Sequence, residues 1–261
     1  MRITVCEIRG DDPASAQQDW TRLCQHTTLH QPDLVLLPEF AFLPAVWELA
    51  SFDQTVWDAA VAQAEQWVGR LGELNCAWVV GAFPVSWAGR PLNQGFLWHR
   101  EQGLVPLRCK AYLPNEAGGW EATWFDRGEA LFPAFAAGEL VFGLNICTEL
   151  WALDSVCGYP AQGVQAILTP RASGQATTER WVALAKTIAV RCGAFSLSSN
   201  RRHADGTCGG VGWIIDPEGI EIARTSVAEP FITREVDFSQ ANTAQAIYPR
   251  YVFASPKSDR V

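Results

Sequence analysis

The chain has 261 residues, 48% of them hydrophobic, with 20 Lys+Arg against 28 Asp+Glu, a net charge of −8 and a pI near 5.0. That is enough apolar material for a large core, and the acidic balance with no Lys/Arg run argues against nucleic acid or an anionic membrane as the main partner. No apolar stretch approaches the roughly 20 residues of a membrane span, and the opening MRITVCEIRGDD lacks the basic-then-apolar layout of a signal peptide, so a cytoplasmic chain is expected.

In chain order, RITVCEI (2–8) is short and β-branched and reads as a strand. Asp12-Pro13 is an N-cap followed by proline at the first helical position, and Ala16, Trp20, Leu23 and Thr27 then share one helical face. DLVLL (33–37) is the continuous apolar run of a strand buried on both faces. Between 54 and 73, Trp57, Ala60, Val61, Ala64, Trp67, Val68 and Leu71 keep helical spacing. CAWVVGA (76–82) is the next strand, and the runs at 93–99 and 104–109 flank a hairpin turn, REQG. Buried strands follow at 139–146 and 164–169, then a helix over 178–192 with Trp181, Leu184, Ala185, Ile188, Ala189 and Cys192 aligned. Strands at 194–199, 211–215 and 220–224 come last, the final two joined by Asp216-Pro217-Glu218-Gly219. With no repeat, low-complexity segment or linker, the chain reads as one α/β domain, 1–261, whose sheet mixes parallel and hairpin pairings.

Eight cysteines (Cys6, Cys24, Cys76, Cys109, Cys147, Cys157, Cys192, Cys208) form no C-x-x-C pair and read as small core hydrophobes in a reducing compartment. Chemistry in an α/β sheet gathers beyond the carboxyl ends of strands, and three such ends carry reactive groups. LVLLPEF puts Glu39 after a buried strand, LVPLRCKAYLPN puts Lys110 after a hairpin strand, and LVFGLNICTELW puts Cys147 where a strand gives way to a helix-like segment. A thiol nucleophile, a carboxylate base and an ammonium that steadies an oxyanion beside the Thr148 amide make a chemically coherent set. From spacing alone each also has an ordinary reading: Cys147 as one more buried thiol, Glu39 and Lys110 as an ion pair at the sheet rim.

The ordered contexts LPEF, CKAYLPN and GLNICTEL resemble the nitrilase (carbon–nitrogen hydrolase) superfamily, amidase-like branch. The likeness runs nearly end to end through PLNQGFLWHREQGLVPLRCK, TERWVALAKTIAVRCGAFSLSSNR, GGVGWIIDPEGIEIAR and REVDFS. The resemblance implies a four-layer α-β-β-α sandwich that commonly forms dimers or larger homo-oligomers, with no metal and no organic cofactor. It implies a Glu39-Lys110-Cys147 triad that hydrolyses a non-peptide C–N bond of a small amide, ω-amide or N-carbamoyl compound through a thioester. The family's second glutamate matches Glu121 in KAYLPNEAGGWEATWF, with Glu116 as the other candidate; it would position Lys110 or the substrate nitrogen.

Cys147-Thr148-Glu149 departs from the Cys-Trp-Glu of nitrile-hydrolysing members and the Cys-x-Asp of many amidases, which turns the reading away from nitriles. Arg171, in Thr169-Pro170-Arg171-Ala172-Ser173, ends a strand near the expected pocket, where it is a candidate for a substrate carboxylate or for pairing with Glu149. Trp120, Trp124 and Trp151 are candidates for an aromatic wall suited to a flat or apolar substrate group, against plain packing or a subunit contact. Cys24, His26 and His30 are spaced for metal but lack a fourth ligand. The glycines at 206, 209, 210 and 212 lead into a strand and so make no phosphate loop. A Cys147–His203 dyad is the remaining alternative, set back by a polar RRHADG segment that reads as mobile. A catalytically silent binding or assembly module of the same fold is the reading from another class.

Overall fold

The apolar runs become strands buried on both faces because each lies between a second sheet and a layer of helix. This is seen in a computed structural model that describes residues 1–10 and 12–253. The expected domain runs to 261, so its last eight positions lie outside the described residues. In order the elements are β1 (Arg2–Arg9), α1 (Pro13–His30), β2 (Leu34–Glu39), α2 (Gln54–Arg70), β3 (Trp78–Trp87), β4 (Arg90–His99) and β5 (Gly103–Cys109). Then come α3 (Glu121–Trp124), β6 (Ala134–Ala137), β7 (Leu140–Leu144), α4 (Leu153–Val156), β8 (Ala166–Arg171), α5 (Thr178–Cys192) and β9 (Phe195–Arg202). The chain closes with β10 (Trp213–Ile215), β11 (Glu221–Arg224), β12 (Phe231–Glu235) and α6 (Ser239–Ala246).

One sheet runs β5-β4-β3-β2-β1-β12, with β1, β2 and β3 parallel and the other pairings antiparallel. The second runs β6-β7-β8-β9-β10-β11, with β7, β8 and β9 parallel. The end of β1 leaves the first sheet and pairs Glu7–Arg9 with Asn200–Arg202 of β9, which ties the sheets together.

The two-residue period of the strands decides which side chains fill which layer. Leu34 and Leu36 of β2 and Ile3 and Val5 of β1 face Phe142, Leu144, Leu168 and Leu197 across the sheet–sheet core. Val35 and Leu37 point the other way, against Trp20 and Leu23 of α1. On the second sheet Ile167 turns outward onto Trp181, Ala185 and Ile188 of α5. The result is the expected four-layer α-β-β-α sandwich. Each buried Leu or Ile contributes roughly 1.5–3 kcal/mol, and a one-residue slip in any inner strand would exchange its two faces.

The helix signals act as read: the Asp12 carboxylate accepts from the Ser15 N–H, and α1 stops at Gln31 with φ 43°. Two pieces of sheet were not foreseen. β3 and β4 extend past the predicted strands to a tight turn at Ala88-Gly89 (φ 51° and 76°), because Pro84 and Pro91 resemble strand breakers yet fit this outlying end of the pair. β6, in the alanine-rich 134–137, is made by its pairing with β7 and has little strand propensity of its own.

Candidate active site

Glu39 is the last residue of β2, where a register shift after Leu36 brings it opposite Ala82. The chain then turns through Phe40 and Phe42, both at positive φ (51° and 65°), a costly conformation for aromatic residues. Arg201, from the end of β9, holds that turn: its Nη1 donates to the Phe40 and Leu43 carbonyls at 2.8 and 2.7 Å, and its Nη2 to Gly10 O at 3.2 Å. Lys110 follows β5 directly, and its N–H donates to the Asn93 carbonyl on β4 at 2.8 Å.

These placements bring the charged groups together. Lys110 Nζ donates to Glu39 Oε1 at 2.9 Å and to Glu121 Oε1 at 2.8 Å, and lies 2.7 Å from Glu121 Oε2. Asn93 Nδ2 donates to the same Glu39 oxygen at 2.7 Å. Lys110, Glu39 and Glu121 are all buried, at 0%, 1% and 6% exposure. Burial alone favours a neutral amine, but Glu121 and then Glu39 outweigh it and hold Lys110 above the ordinary lysine range. Burial raises the Glu121 carboxyl to about 7, Lys110 opposing and Glu39 adding. Two buried carboxylates sharing one site favour a proton on one of them, and the Lys110 ammonium between them opposes it.

Cys147 opens a 3-10 turn, Cys147–Trp151, with φ 48°, a left-handed backbone at a non-glycine residue. Its thiol is buried, and burial first, then the charge of Glu39, pushes it well above the ordinary thiol range, while Lys110 and the Ala172 N–H pull the other way. The resting sulfur is therefore protonated and needs a base to attack anything. The 3-10 turn starts with amides that have no carbonyl partner within the turn, and the N–H of half-buried Thr148 is among them.

The other sequence candidates fall in different places. Glu116 is exposed and bridges to Gly119, away from the lysine that Glu121 reaches. Trp124 is fully buried, its Nε1 donating to Leu49 O at 2.7 Å, so it presents no open face. Trp151 is 46% exposed and stands edge-on to Trp181. Arg171 continues the outward face of β8 set by Ile167, so its side chain goes toward α5. It is fully buried, donates to Ser198 Oγ (2.7 Å), Ser173 Oγ (2.6 Å) and Val211 O (2.5 Å), and lies over the Trp213 ring at 4.0 Å. It does not pair with Glu149, whose partner is Arg108. His203 is buried, and its ring nitrogens bond to Arg201 Nη2 and Thr207 Oγ1. The His26 and His30 rings lie with centroids 4.2 Å apart at a 34° tilt, and His26 Nε2 bonds to Thr233 Oγ1. Among the described residues, no group of three or more His, Cys, Asp or Glu is placed to hold a metal.

Sequence reasoning passed over Asn93, Arg108 and the Ala172 amide. Asn93 lay inside the hairpin segment, but only the β4–β5 pairing shows that it shares a partner with Lys110. The amide carries no side-chain signal at all.

Residues 3–246 match the family profile described as carbon-nitrogen hydrolase. No curated protein matches the chain at a significant level. Among solved structures, a carbon–nitrogen hydrolase from Helicobacter pylori G27 superposes with a TM-score of 0.84 at 15% identity, covering 97% of this chain and 94% of that one. A CN-hydrolase superfamily protein from Xanthomonas campestris, with an arsenic adduct in its active site, gives 0.78 at 18% identity, with 98% of each chain covered. An amidase mutant from Nesterenkonia sp. AN1, showing Michael addition of acrylamide at the active-site cysteine, gives 0.73 at 18% identity, covering 93% of this chain and 95% of that one.

Proposed function

The chain belongs to the carbon–nitrogen hydrolase family, and from that premise we propose that it hydrolyses a small amide through a thioester on Cys147, with Glu39, Lys110 and Glu121 as its partners. The observation that carries this reading is a buried ammonium held between two carboxylates, together with a buried cysteine at the left-handed start of the Cys147–Trp151 turn. As Cys147 Sγ attacks the amide carbon, Glu39 takes the thiol proton. The carbonyl π pair moves to oxygen, and the oxyanion rests against Lys110 Nζ and the Thr148 N–H. Collapse breaks the C–N bond, Glu39 returns the proton to the departing nitrogen, and ammonia leaves a thioester behind. Glu39 then deprotonates water as it adds to the thioester; the C–S bond breaks, the acid leaves, and the sulfur regains its proton. Glu121 holds Lys110 in place through the hydrogen bond that it accepts from Nζ.

Arg171 donates to Ser198, Ser173 and Val211 inside the protein, so its placement favours no acidic substrate over a neutral one. Trp151, which keeps exposed surface beside the nucleophile's turn, is the aromatic candidate for substrate contact. The eight free cysteines support a reducing compartment, and no helix of the described residues is long and apolar enough to cross a membrane.

The test is ammonia release from aliphatic amides, ω-amides, N-carbamoyl amino acids and nitriles by the wild type and by Cys147→Ala. The wild type turns over an amide and the variant, folded by circular dichroism, does not. Undiminished hydrolysis by Cys147→Ala overturns the reading. A wild type silent across the panel, with slow and uniform alkylation of all eight cysteines, returns the protein to a binding or assembly role.

A further inference from the structure

Glu149 is fully buried two residues after the nucleophile, and its two oxygens each accept from one guanidinium nitrogen and one backbone amide. Oε1 accepts from Arg108 Nη2 at 2.8 Å and from the Ala111 N–H at 2.7 Å. Oε2 accepts from Arg108 Nη1 and from the Ile146 N–H at 2.9 Å. Ala111 is the residue after Lys110, and Ile146 the residue before Cys147. One carboxylate therefore grips the backbone on both sides of the lysine–thiol gap.

Each partner needs this grip for its own reason. The Ile146 N–H lies where the β7 ladder has ended, and a Glu three positions into the turn reaches back to it as in a capping box. The Ala111 N–H lies beyond β5, past the last strand pairing of that edge. Arg108 is buried as well, and its planar fork matches a carboxylate in a way that a lysine ammonium does not. Its guanidinium also covers the Phe132 ring at 4.1 Å. The pair is neutral as a unit, so it fixes geometry without adding net charge beside Glu121 and Lys110.

We propose that Glu149, locked by Arg108, is a positioning residue that sets the separation of Lys110 from Cys147 and so the strength of oxyanion stabilisation; this rests on the amidohydrolase reading above. A glutamine at 149 keeps the volume but replaces one acceptor oxygen with an N–H₂ facing a backbone donor. One side of the gap is then released.

The experiment compares wild type, Glu149→Gln and Arg108→Lys in two assays. In steady-state hydrolysis of the best amide, both variants lose about 10–100-fold in kcat, the scale of a misplacement of about 1 Å, while KM stays within about 3-fold. In iodoacetamide labelling followed by mass spectrometry from pH 6 to 10, addition to Cys147 slows at every pH as Lys110 draws away from the sulfur. Glu39, Glu121 and the Ala172 N–H, which also act on that thiol, are unchanged in sequence, and Cys24 and Cys157 serve as internal controls. A clasp that is only structural lowers the unfolding midpoint but leaves both readouts at wild-type values in the folded variants, and that result overturns the proposal. Should Glu149→Gln not fold, Arg108→Lys decides by the same criteria. Should the wild type hydrolyse nothing, the functional reading fails, and the labelling profiles still show whether the clasp controls Cys147.

Discussion

Replacing Glu121 with glutamine should remove a pH dependence of stability that the wild type carries. The carboxyl stands at about 7 in the folded chain against an ordinary 4.5, chiefly through burial, with Glu39 adding and Lys110 opposing. Below pH 4.5 it is protonated in folded and unfolded chains alike. Between 4.5 and 7 the unfolded chain ionises while the folded chain keeps its proton, so stability falls as pH rises and levels off above 7. At 1.36 kcal/mol per pKa unit the whole change is about 3 kcal/mol, and about 2–3 kcal/mol of it lies between pH 5 and 8. Urea unfolding followed by tryptophan fluorescence at pH 5, 6, 7 and 8 gives the two curves, and subtracting one from the other cancels the titrating groups that do not interact with Glu121. Wild type should lose about 2–3 kcal/mol relative to Glu121→Gln across that range. Parallel curves would refute the claim that Glu121 holds a proton near neutrality beside Lys110.

Other consequences are open to direct measurement. Asn93→Ala removes the amide that donates to Glu39 Oε1; it should lower kcat by about 10-fold or more and cost about 1–3 kcal/mol, read by kinetics and chemical unfolding. Gly10→Ala puts a Cβ 2.0 Å from Arg201 Nη2, displacing the guanidinium from the Phe40 and Leu43 carbonyls; a loss of about 2–4 kcal/mol in urea is expected, and a wild-type midpoint would show that Arg201 does not hold this turn. Arg108→Met leaves the Glu149 charge buried and unpaired, at a cost of about 3–5 kcal/mol, whereas Arg108→Met combined with Glu149→Met should recover much of it. Equal stability of the single and double variants would contradict that account.

Much of the scaffold is legible without coordinates, because strand and helix periods are local. The run at 33–37, the helix faces built on Trp20, Trp57 and Trp181, and the Asp12 cap all follow from residues within a few positions of one another. The same locality places Glu39, Lys110 and Cys147 at the ends of their strands. Residues whose role depends on a distant partner were not legible. Arg108 and Glu149 are 41 positions apart and Asn93 and Glu39 are 54, and no short-range pattern encodes such a pairing. Only the family resemblance preferred Glu121 to Glu116; the fold turns Glu121 onto Lys110 and leaves Glu116 in solvent.

By itself, then, the sequence determined the order and type of the main elements, the residues at each strand end, and an acidic chain rich in unpaired thiols. Tertiary structure decided which of those ends meet, that the ammonium sits between two carboxylates, that Glu149 answers to Arg108, and that Arg171 turns toward α5. The physical reason is register. Alternation along a strand states which face a side chain takes, but only the pairing of β4 with β5 and of β7 with β8 states what that face meets. The charged site is built from those pairings, and its unusual proton affinities come from the burial they impose.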